Sequence, residues 1–236
     1  MAMRSRNLVE KKRVDDKLNL NEQRLGNKDL VSLAQYEKLD GIVSLTLRNN
    51  HFDYHGVQEL ANSPYLKNLK SLNLMSNAVG DKGLVLLAES PNLSQLESLN
   101  LENTGVTALG ILALSQSPHL NKLKELNLNS NDLGEKGFRI LADSGNFKNL
   151  TKLRTSGVSV GDTEFQAIVQ SDTLSQLEEL EAMGNVITRE SLDSLADSAI
   201  LPQLKKLDLR RNKLKDVDLI FLADSPKFHN LEALRF

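Results

Sequence analysis

Residues 69 to 95 read LKSLNLMSNAVGDKGLVLLAESPNLSQ, and this stretch decides the fold. Its first half alternates about Leu72 and Leu74 and runs on through Asn77 to Val79. A period of two marks a strand with one buried face. In the second half Leu84, Leu87 and Ala88 fall at i, i+3 and i+4, which is one face of a short helix. Ser90-Pro91 ends that helix, because proline lacks a donor and disfavours helical backbone in the residue before it. Leu93 turns the chain back towards the next strand.

Outward from this stretch the same reading recurs every 27 residues, at Leu18, Leu45, Leu72, Leu99, Leu126, Leu153, Leu180, Leu207 and Leu234. A second apolar position runs Leu20, Leu47, Leu74, Leu101, Leu128, Thr155, Ala182, Leu209 and Phe236, with no insertion. A unit this short cannot bury its own apolar face. A fixed period therefore means a solenoid in which stacking completes the core.

The unbroken period makes residues 15–236 one elongated domain without a linker, ending in mid-repeat, and residues 1–14 an N-terminal cap segment. Lys and Arg total 29 against 31 Asp and Glu, a net charge of −2, which gives no general attraction to nucleic acid or to an anionic membrane. The chain has no cysteine, so it carries neither a disulfide framework nor a thiolate nucleophile, and a reducing, cytoplasmic compartment is expected. The opening MAMRSRNLVEKKRVDD has charge but no apolar segment, unlike a secretory signal. No run approaches the roughly 18 apolar residues of a membrane span.

LKELNLNSNDL and LKKLDLRRNKL spell L-x-x-L-x-L-x-x-N-x-L, and the helix entries recur as GDKG, GEKG and GDTE ahead of LANSP, LAESP and LADSP. On these motifs the chain resembles leucine-rich-repeat proteins over residues 15 to 236. The repeat length and the GDxG…LA pattern are similar to the ribonuclease-inhibitor-like class, and to bacterial members of it. The resemblance implies an α/β horseshoe, with a parallel sheet on the concave side and short helices on the convex side. Strands stack about 4.8 Å apart and helices about 8–10 Å apart, so such a stack bends towards its strands.

Repetition removes several candidate sites. Asn50, Asn77, Asn131, Asn185 and Asn212 share one position, and in this family such an Asn is buried against loop backbone. Gln23, Thr104 and Val158 hold the same slot elsewhere. Val158 cannot make those bonds, and Thr155 and Ala182 replace inward leucines nearby, so looser packing is expected around residues 150 to 190. His51 and His55 flank Asp53 in an expected loop, without the further ligands a metal site needs. No phosphate-cradling loop or nucleophile elbow is present, so no cofactor, metal or catalytic residue is assigned and the chain is read as a non-enzyme.

Strand residues between the buried leucines should face the concave side. One row gives Asn73, Asn100, Asn127, Arg154, Glu181, Asp208 and Arg235. The next gives Arg48, Met75, Glu102, Asn129, Met183 and Arg210, with Arg211 beside it. The N-terminal half is neutral and polar, whereas the C-terminal half alternates in charge through Glu125, Lys152, Glu179 and Lys206. Met75 and Met183 are apolar at solvent-facing positions, which folding alone does not explain. Tyr54 and His55 should stand exposed at the edge of the sheet. These residues are the expected contacts to a partner protein.

The reading is therefore a protein-protein interaction scaffold that grips its partner on the concave face. The resemblance implies one form of it, a bacterial effector delivered into a host cell that masks or regulates a partner enzyme. Two alternatives stand beside it. One is the substrate-recognition part of a larger enzyme, such as a ubiquitin-ligase effector, truncated after residue 236; the other is a self-assembling module. Leu231, Leu234 and Phe236 complete a strand without a cap, and this open edge is expected to meet another chain, a partner or a continuation of its own.

Overall fold

The computed structural model describes residues 2–224, 226–228 and 230–236. Strands β1 (Arg13–Val14), β2 (Lys17–Asn19), β3 (Ser44–Thr46), β4 (Ser71–Asn73), β5 (Ser98–Asn100), β6 (Glu125–Asn127), β7 (Lys152–Arg154), β8 (Glu179–Glu181), β9 (Lys206–Asp208) and β10 (Ala233–Arg235) form one sheet in sequence order. From β2 onwards every pairing is parallel and joins residues 27 apart, as in Leu45 with Leu72. Because the register equals the sequence period, each concave row is a line of like positions.

Helices α2 (Asn27–Ala34), α3 (Tyr54–Asn62), α4 (Gly80–Ala88), α5 (Ala108–Ser115), α6 (Gly134–Asp143), α7 (Asp162–Val169), α8 (Arg189–Ala196) and α9 (Asp216–Asp224) return the chain on the other side. The solenoid expected from the period, and the α/β leucine-rich-repeat arrangement implied by the resemblance, are the architecture present. At the N-terminal end α1 (Ala2–Lys12) packs on α2, burying Val9 with Leu8 beside it, and β1 adds an antiparallel pairing to β2.

Three side-chain ladders tie one repeat to the next. Asn50 donates from Nδ2 to the carbonyls of Leu20 (3.0 Å) and Leu47 (2.7 Å), and its Oδ1 accepts from the amides of Gln23 and Leu25. Asn131 and Asn185 repeat the pattern. The second ladder uses the Ser of the LAxS motif. Ser63 and Ser90 donate to the carbonyls of Ala34 and Ala61 at the end of the preceding helix, at 2.6 and 2.5 Å. These carbonyls are among those a helix end leaves unpaired.

The third ladder uses the acidic residue of the helix entry. Asp81 stands in the first turn of α4, but its carboxylate accepts from the Thr107 amide (2.8 Å), the Thr107 hydroxyl (2.7 Å) and the Gly110 amide (2.9 Å) at the start of α5. Asp162 does the same for Thr188 and Ser191 of the next repeat, and Asn27 for the amides of Asp53 and Gly56. Glu135 holds the equivalent position and binds Arg139 of its own helix instead. Where the preceding repeat offers no acceptor, the helix starts differently. After Tyr54 and Ala108 it begins at Gly80 and Gly134, in left-handed backbone, φ +59° and +58°. After Glu135 and Arg189 it is capped from within, by Glu164 on the Gly161 amide and Asp218 on the Lys215 amide.

Around residues 150 to 190 the expected looseness does not show as exposure. Thr155, Val158 and Ala182 are 2 %, 4 % and 0 % exposed. The larger Phe138, Phe147 and Phe165, where other repeats place leucine, valine or isoleucine, supply apolar volume in the same stretch of the core. At the other end β10 is the outermost strand, with Leu231 and Leu234 partly buried and Phe236 exposed.

Candidate binding face

The strands present one side chain per repeat in each row, spaced by the strand separation of about 4.8 Å. Much of what these rows carry is already engaged. In the row at the last residue of each strand, Asn73, Asn100 and Asn127 each accept from the backbone amide two residues on, at 3.0, 2.9 and 3.0 Å. Such a turn lets Asn satisfy the backbone where the strand ends. Asn127 also donates to Glu102, and Asp208 receives a forked ion pair from Arg210 at 2.6 Å. Asn127 is 5 % and Asp208 9 % exposed. Both serve the fold, and little of either side chain reaches the sheet surface. In the neighbouring row Asn129 accepts from the Ser156 amide at 2.7 Å.

The alternating charges of the C-terminal half are paired along the register. Lys152 and Lys206 both contact Glu179, which stands between them, and Arg154 meets Glu181 at 2.9 Å. The hydrogen bonds from Lys152 and Lys206 hold the Glu179 carboxyl below the usual carboxylate range. The Arg210 guanidinium does the same for Asp208 against the opposing effect of burial. Glu181, Lys206, Asp208 and Arg235 line a cavity of about 270 Å³ over these strands. Near the N-terminus Arg48 reaches Glu22 at 2.6 Å, while its Nε is buried with no partner among the described residues.

Among the described residues, the side chains of Met75 and Met183 have no such employment. The backbone amides of Met75 and Met183 are held by Asn73 and Ser156, and their side chains lie half-buried on the sheet surface. Arg211 and Arg235 are exposed, Arg211 in the turn after β9 and Arg235 on β10.

Tyr54 and His55 are not in a loop. They open α3, whose cap is Asp53, accepting from the His55 amide at 2.9 Å. Their rings stack at 4.0 Å, Lys82 lies 5.0 Å from the Tyr54 ring, and His55 Nδ1 is 2.9 Å from Asp53. This places the pair at the helix side of the loop edge, away from the concave rows. Sequence reading missed the cap, although Asp directly before the helical stretch is a recognised start signal. Among the described residues no group of His, Cys, Asp and Glu is arranged to hold a metal ion, and no helix is long and apolar enough to cross a membrane.

A family model described as a leucine-rich repeat matches residues 65–88, 119–139 and 202–223. No curated protein matches the chain significantly. Among solved structures the chain is similar to internalin C2 of Listeria monocytogenes, at 21% identity and a TM-score of 0.63, over 100% of this chain and 92% of that one. It is also similar to the internalin InlF of Listeria monocytogenes, at 18% identity and a TM-score of 0.54, over 98% of this chain and 68% of that one. At these identities the likeness is one of fold. With the matched repeats, the unbroken period and the parallel register, it gives the chain the fold of leucine-rich-repeat proteins.

Proposed function

We propose that this chain is a protein-binding scaffold that holds a partner protein against its concave sheet and acts by covering a surface of that partner, without transforming it. The observation that carries the reading is the pair Met75 and Met183. Each is a polarizable, apolar side chain on a fixed backbone at a solvent-facing position that the core does not use. Arginine and methionine are enriched in the anchors of protein interfaces, and Arg154 and Glu181 between these two methionines supply a fixed pattern of both signs, suited to complementarity. An effector that masks a partner enzyme is the form of scaffold that the repeat class suggests, and a cysteine-free chain suits a reducing compartment.

Affinity capture followed by quantitative comparison of variants tests the reading. Met75→Glu with Met183→Glu should remove the captured partner. The exchange Arg154→Glu with Glu181→Arg keeps the ion pair while inverting the field, and should weaken capture without lowering Tm. A partner held equally by both variants would place the contact elsewhere, with the Tyr54–His55 edge the first alternative.

A further inference from the structure

We propose that the turn at residues 210–215 is a docking site for an acidic segment of a partner protein, rich in aspartate and glutamate. The inference rests on the scaffold reading and adds the partner's chemistry at the C-terminal loop edge. Arg211, Lys213 and Lys215 all point into solvent from this turn. At the same three positions in the repeats between residues 49 and 188, the ionisable side chains are His51, Asp53 and Asp132, and the others are small or neutral. A cluster of three cations is therefore peculiar to this turn and is not demanded by the fold, which forms six times without it.

Most cations on the neighbouring strands β7 to β9 are committed. Lys152, Arg154, Lys206 and Arg210 each have a carboxylate partner. Arg211, Lys213 and Lys215 have no ion pair among the described residues. Their backbone is also held in place. Asn212 donates to the carbonyls of Ala182 and Leu209 at 2.9 and 2.8 Å and accepts from the Ile187 amide. The Lys213 amide bonds to Ile187, and the Lys215 amide to Asp218. Arg211 is in left-handed backbone at φ +59°. Like charges fixed so close together repel, and a rigid turn cannot spread them far. An anionic segment relieves that repulsion and meets a turn whose backbone needs no ordering, so less entropy opposes binding.

A protein fits better than a nucleic acid. One turn is too short to track a nucleic-acid backbone over the roughly 4–16 nucleotides of a single-strand site. Asp208 and Asp216 flank it and would repel a phosphate backbone.

Binding of a fluorescein-labelled oligoglutamate peptide to the whole chain, followed by anisotropy at low and physiological salt, tests the proposal. The wild type should bind, and affinity should fall as salt screens the exposed charges. Arg211→Gln, Lys213→Gln and Lys215→Gln together should weaken it by about tenfold or more, with Tm unchanged or raised because the mutual repulsion is gone. The control Lys67→Gln, Lys136→Gln and Lys148→Gln removes equal charge elsewhere on the surface and should bind as wild type. No binding by the wild type, an unaffected turn variant, or an equal loss in the control would overturn the proposal. So would an oligonucleotide of matched charge that binds more tightly than the peptide. The Arg154→Glu/Glu181→Arg exchange should leave peptide binding intact, so this site and the concave reading fail separately.

Discussion

Asp81→Ala should destabilise the chain out of proportion to the modest exposure and simple appearance of the residue. The Asp81 carboxylate receives two backbone amides and a hydroxyl from the start of α5, at 2.8, 2.9 and 2.7 Å. Removing an ordinary helix cap costs about 0.5–2 kcal/mol, and a hydrogen bond to a charged group contributes about 1.5–3 kcal/mol. Asp81 is half-buried, so water replaces part of what is lost, and about 2 kcal/mol is expected. For a chain of this length that corresponds to a fall in Tm of about 4–8 °C. Urea and thermal denaturation followed by circular dichroism give the total. Hydrogen exchange at the Thr107 and Gly110 amides locates it, since a solenoid loses stability locally. Asp81→Asn should retain most of the stability, because Asn27 performs the same task with an amide. Glu135→Ala is the decisive control. It stands at the same point of a nearly identical motif yet makes only an exposed pair with Arg139, and should change stability by less than about 0.5 kcal/mol. Equal losses in Asp81→Ala and Glu135→Ala, or unchanged exchange at Thr107 and Gly110, would refute the cross-repeat cap.

Val158→Asn should stabilise by about 1 kcal/mol in urea denaturation, because it restores an acceptor at the slot that Asn50 and Asn185 use to hold the preceding loop. Gly110→Ala should cost about 1–3 kcal/mol, since a Cβ there would lie 2.7 Å from Asp81 Oδ1 and 2.9 Å from Val106, whereas Gly145→Ala, with nothing within 4 Å, should be near neutral by thermal melts. Stability should decline in acid. Glu179 and Asp208 have folded pKa values below their ordinary 4.5 and 3.8, so their stabilisation is complete above those values and is lost as pH falls through the lowered ones. Asp162 adds to the same trend, because hydrogen bonds from Ser191 and Thr188 outweigh the effect of its burial. A Tm that rises between pH 5 and pH 3 would contradict this sign.

Legibility followed how local each cause is. The pairing of Lys152, Glu179 and Lys206 could be read directly, since a parallel register equal to the period places residues 27 apart side by side. The burial of Asn127 and Asp208 could not, because it depends on where Glu102 and Arg210 send their side chains. The start of α3 at Tyr54 had a signal in Asp53. So did the caps: Asn27, Asp81 and Asp162 are each followed 26 residues later by Asp or Thr, a pattern invisible within any single repeat.

The period of 27 residues by itself determined the stack, its register, the buried leucines and the identity of the outward rows. It could do so because every repeat meets a neighbour of the same design, so one repeat's contacts are the chain's contacts. Only the tertiary structure decided which outward residues are free. A carboxylate or amide is spent or available according to the donor that the adjacent repeat brings within about 3 Å, and adjacent repeats differ at those positions. That distinction separates Asp81 from Glu135 and the paired lattice of the sheet from the exposed cations of the turn at residues 210–215.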